Sequence, residues 1–97
     1  MKIKIDDKSY EQTKFKGRAL RNLLEIQNIL EEREEESFKV DDLDIMCEFI
    51  ANVFDNQFTS DDLLDNLEFH EIMECFKKIA EEIMKKTNNK MEKLGKK

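Results

Sequence analysis

The chain contains no proline and only two glycines, Gly17 and Gly95, in 97 residues. Proline stops regular structure by removing a backbone donor, and glycine supplies the unusual dihedrals of tight turns. A sandwich or barrel needs such turn chemistry at short, regular spacing, and this sequence does not supply it. Glu, Lys, Leu, Met and Ile dominate instead, which favours helices. Charged residues make up 41% and hydrophobic residues 39%, enough apolar material for one core in a chain too short for two. No stretch approaches the roughly 18 consecutive apolar residues of a membrane span. No basic-then-apolar leader opens the chain, so the expectation is a cytoplasmic protein.

Periodicity places the elements. Lys-Ile-Lys-Ile at 2–5 alternates strictly, as a half-buried strand does. Asp6-Asp7-Lys8 reads as a turn, and 9–13 as a returning strand anchored with Ile3, Ile5 and Tyr10 on the helices. A first helix is expected from Gly17 to Glu35, with Leu20, Leu23, Leu24, Ile26 and Leu30 on one stripe and Ile29 at its margin. Its acidic end at 31–36 opposes the helix dipole, so fraying and a loop through Ser37–Lys39 follow. A second helix spans about Asp41–Asp55, capped by Asp41 or Asp42. Thr59 and Asp62 have capping-box spacing for a short helix to Asn66, which is expected to end it in a left-handed conformation. Phe58 is placed to staple that helix by packing on its first turn. The last helix starts near Glu68, with Phe69, Ile72, Met73, Phe76, Ile79, Ala80, Ile83 and Met84 in register. Residues 87–97 are either a tail or a continuing helix awaiting a partner, with Met91 and Leu94 on the same stripe. The expected fold is therefore mainly α: one small domain of about four helices with an N-terminal hairpin at 1–86, and a basic flexible tail at 87–97.

Charge limits the partners. The net charge is −6, distributed as −11 over residues 1–76 and +5 over residues 77–97. An acidic body repels phosphates, which argues against nucleic acid as the partner of the main surface. It leaves open an acidic regulator that mimics nucleic acid and blocks a DNA-binding protein.

The usual chemical constellations fail one by one. His70 is the only histidine, and Glu74 stands where a zinc protease helix needs a second one. Counting an EF-hand loop from Asp42 puts Cys47 at the glycine position, and counting from Asp55 puts Ser60 there. Two isolated glycines make no phosphate loop. Cys47 and Cys75 match no metal or redox spacing and read as buried thiols. The expectation is no catalysis, no cofactor and no metal, and a surface used for protein contact. Met84, Met91 and Leu94 suit a helix-in-groove contact.

Several segments resemble the tail assembly chaperones of long-tailed phages and prophages. They are Ile-x-Ile-Asp-x-Lys-x-Tyr at 3–10, Lys-Gly-Arg-Ala-Leu-Arg at 16–21, Phe-Asp-Asn-Gln-Phe-Thr at 54–59 and Asp-Asp-Leu-Leu-Asp-Asn-Leu at 61–67. The resemblance covers about residues 1–85. The family pattern has glycine where Asn66 stands and often where Asp7 stands, and both replacements remain turn-compatible. The resemblance implies a non-enzymatic protein of the host cytoplasm, absent from the mature virion. It would coat the tape measure protein, keep that protein's apolar helices soluble and help recruit tail tube subunits. It also implies a longer, frameshifted form that contacts the tube protein. The Gly95-Lys96 codons allow a slippery G-run and A-run, and equally an ordinary lysine end. Candidate client-binding residues are Ile26 and Ile29 at the stripe margin, with Met84, Met91 and Leu94 near the C-terminus. Core, tail or self-association surface is the competing assignment for each.

Overall fold

The computed structural model describes residues 1–31 and 39–95, the last eight as backbone only. It is mainly helical. Strands β1 (Lys2–Ile5) and β2 (Lys8–Glu11) are followed by helices α1 (Gly17–Glu31), α2 (Val40–Val53), α3 (Ser60–Asn66) and α4 (Phe69–Gly95). The expected architecture is present. The acidic run after Glu31 and the loop through Phe38 lie outside the described residues.

The strands pair antiparallel, with Ile3 opposite Tyr10 and Ile5 opposite Lys8. Alternation buries Ile3 and Ile5 and leaves Lys2 and Lys4 in solvent. Asp6 takes φ 57° in the two-residue turn. A short polar residue tolerates that left-handed conformation better than most. β2 begins one residue earlier than the sequence suggests and stops at Glu11. Beyond it Met1 and Gln12 exchange two backbone bonds of 2.8 Å, which close the open end.

α2 is the central element and packs on α1, α3 and α4, while β1 lies against α3. Its fully buried residues include Met46, Cys47 and Ile50, and Phe54 at its C-terminal cap is buried with them. They meet Leu63 of α3, Ile72, Ile79 and Ile83 of α4, and Leu23 of α1 in one core. Phe49 of α2 and Phe76 of α4 stand edge to face at 5.6 Å.

Three helices start with the same device. A carboxylate at the third helical position accepts the N–H of the residue before the helix. Asp42 takes Lys39 at 3.0 Å, Asp62 takes Thr59 at 2.9 Å, and Glu71 takes Glu68 at 2.9 Å. Each satisfies one orphan donor and places negative charge at the positive end of the helix dipole. At α3 the box is reciprocal, because the Thr59 hydroxyl accepts the Asp62 N–H at 3.2 Å. The cap of α2 is therefore Lys39, in extended backbone, and not Asp41 or Asp42. Asp42 works from inside the helix.

Helix ends differ from the sequence expectation in three places. α2 stops at Val53 because Asp55 and Asn56 both turn left-handed, at φ 56° and 57°. Asn56 N–H reaches the Ala51 carbonyl at 2.9 Å and Asp55 N–H the Asn52 carbonyl at 3.0 Å. That is the Schellman pattern. Asn66 is not left-handed; it remains in α3, where its amide donates to the Asp62 carbonyl at 2.8 Å. α4 does not stop at residue 86 but runs as helix through Thr87 to Gly95.

Candidate partner-binding site

The motif at 54–63 has a structural job. Phe54, Phe58 and Leu63 are buried. The Phe58 ring meets Tyr10 at 4.9 Å and Phe54 at 5.4 Å, joining the hairpin to the end of α2. Phe58 and Leu63 also occupy the two positions of a hydrophobic staple around the Thr59 cap. Between the rings, Gln57 donates to the Glu11 carbonyl at 3.2 Å. Gln12 completes the tie: its amide nitrogen donates to the Val53 carbonyl and to Asp55, both at 2.9 Å. Burying one phenylalanine side chain is worth about 1.5–3 kcal/mol, against about 1 kcal/mol for a helix cap. The rings hold this belt together and the polar bonds fix its register.

The surface beside α1 is built differently. α1 buries only Leu23 and Ile26. Leu20 and Leu30 are half-buried, and Leu24, expected on the buried stripe, is 45% exposed. On the α4 side, the segment 13–16, the start of α1 and the α4 residues near Ile83 enclose a groove of about 630 Å³. Phe15, Leu20 and Ile83 supply its apolar lining, and Lys14, Lys16 and Lys86 line it with charge. Lys86 Nζ sits 4.9 Å from the centre of the Phe15 ring and donates to the Thr13 carbonyl at 2.8 Å. Among the described residues no carboxylate lines this groove.

On the α2 side of α1 lies a smaller hollow of about 250 Å³. Ile26, Ile29, Ile45 and Phe49 line it together with Glu25 and Glu48. The two hollows thus carry opposite charge. The structure brings Ile26 and Ile29 to the same hollow. Ile26 is only 5% exposed, so Ile29, half-buried, presents the greater accessible surface there. Met84 is half-buried and packs on the core beside Ile83. Met91 and Leu94 lie on the α4 backbone beyond Thr87, where side chains are not described. Sequence reading missed Phe15, Lys14, Lys16 and Lys86 as a group. The lysines only become a cluster once α4 folds back over the 13–16 segment.

The remaining reactive groups are quiet. Burial pushes the Cys75 thiol up to about 12 and, with help from Asp44 and Glu48, that of Cys47 to about 11. Such thiols are poor nucleophiles. His70 is an exposed residue 3.2 Å from Glu68. Among the described residues no group of three His, Cys, Asp or Glu is placed to hold a metal ion. No described helix is long and apolar enough to cross a membrane.

These features describe a small helical domain with incompletely buried apolar side chains along α1. A family model described as phage tail chaperone protein matches residues 1–97. The chain belongs to the phage tail chaperone family. No curated protein and no solved structure matches it. In this phage tail chaperone the belt at 54–63 is buried structure, and two of the hollows flanking α1, the lysine-lined groove and the Ile26–Ile29 hollow, are the candidates for contact.

Proposed function

We propose that this phage tail chaperone acts without catalysis, by reversible binding of the tape measure protein. It keeps the apolar helical segments of that protein dispersed in the cytoplasm of the bacterial host, helps recruit tail tube subunits, and is released before the virion is complete. Membership of the family over the whole length, residues 1–97, carries this reading. The incompletely buried apolar side chains Leu20, Leu24, Ile29 and Met84 support it, because a client helix needs such surface. High charge density supports it too, since net charge keeps a chaperone and its client from aggregating. Ile26, Ile29, Met84, Met91 and Leu94 are the proposed client-binding set. The basic segment 87–97 serves as an arm, and a frameshifted longer form reaches the tube protein. Co-expression with the tape measure protein of the same phage or prophage tests the reading. The tape measure protein should move from the pellet to the soluble fraction and co-purify with this chain. A tape measure protein that stays insoluble, or is equally soluble alone, contradicts it.

A further inference from the structure

We infer that the lysine-lined groove between the 13–16 segment, α1 and α4 docks a helix whose apolar residues are flanked by carboxylates. The inference rests on the chaperone reading and names the chemistry of the bound segment. The apolar lining of Phe15, Leu20 and Ile83 requires an occupant that brings apolar side chains. The charge requires acid beside them. Lys14, Lys16 and Lys86 stand there without a lining carboxylate, although the first 76 residues of the chain carry a net −11. Lys86 has only a neutral carbonyl and an aromatic face as described partners, and a client carboxylate would give it a charge-assisted bond. In helical register Leu24 lies one turn beyond Leu20, so the apolar strip continues along α1 for a second turn of the occupant. Nucleic acid offers the negative charge but not the apolar stripe, and the acidic body repels it.

The test uses the full chain, isotopically labelled, and two synthetic amphipathic helices of about five turns. Both carry the same leucine stripe; one has glutamate flanks and the other lysine flanks. The glutamate peptide should bind at least about tenfold more tightly, with affinity falling as salt rises. Its amide shifts should fall on residues 13–24 and 80–87. The double variant K14E/K16E changes two exposed side chains, keeps the fold by circular dichroism, and should reverse the preference. Equal binding of both peptides, or shifts confined to the Ile26–Ile29 hollow, overturns the inference. So does a groove occupied by a second copy of the chain or by an oligonucleotide in place of the peptide. If K14E/K16E still solubilises the tape measure protein as wild type does, this groove is not the client site while the chaperone reading stands. If wild type fails to solubilise it, the chaperone reading falls, and the peptide preference alone decides what the groove selects.

Discussion

The belt at 54–63 and the seam between α1 and α4 are made from the same kinds of residue, yet only the belt closes on itself. In the belt every aromatic ring is buried and both helix ends are capped by named bonds. Along the seam Leu20 is half-buried, Leu24 is exposed, and a lysine-lined groove separates the elements. Helical periodicity is satisfied in both. The difference lies in what each stripe meets: α2 packs on three helices, whereas α1 packs on two. The belt therefore carries stability, and the seam is the surface proposed for contact.

The largest effect should come from opening the belt. Phe58→Ala removes the ring shared by Tyr10 and Phe54 and should lower unfolding free energy by about 3–5 kcal/mol in a urea titration. A loss under about 1 kcal/mol would mean the belt is not closed around that ring.

Alkali attacks the same core by another route. Both thiols have their proton held more tightly in the folded state, with folded values near 11 and 12 against an ordinary 9. The stability they contribute is complete below pH 9 and is lost as pH rises toward 12, because the unfolded chain gives up the protons first. Thermal melts across that range should fall more steeply for wild type than for Cys75→Ala, after allowing for the cavity the substitution leaves.

A smaller effect isolates the polar part of the belt. Thr59→Ala should destabilise by about 1 kcal/mol, with the loss read as a lower urea midpoint at constant slope. The smallest belongs to the seam. Leu24→Gln keeps a good helix former at an exposed site and should change stability by less than about 0.5 kcal/mol while weakening client binding. A large stability loss would make Leu24 part of the core and erase the contrast.

Much of this contrast was legible in the sequence. The Lys-Ile-Lys-Ile alternation gives the first strand, and Thr59 with Asp62 gives the start of α3, because both signals are local. The acidic clusters at 41–44 and 61–65 read as caps once the calcium spacing failed, and Asp42 and Asp62 do cap. The α2 cap was misplaced because Lys39 has no capping side chain; extended backbone at Lys39 and Asp42 inside the helix suffice. Leu24 and Phe69 fit helical stripes yet remain exposed, since periodicity says which face is apolar but not how wide the covering neighbour is. The groove was not legible at all. Phe15 and Lys86 are far apart in sequence, and only the return of α4 puts one over the other.

The most direct test of the division between belt and seam is an amide NMR titration of the labelled chain with a soluble tape measure fragment. Shifts should concentrate at residues 13–29 and 80–94 and leave 54–63 nearly unmoved. Shifts centred on 54–63 with a silent seam would contradict the assignment of contact to α1 and α4.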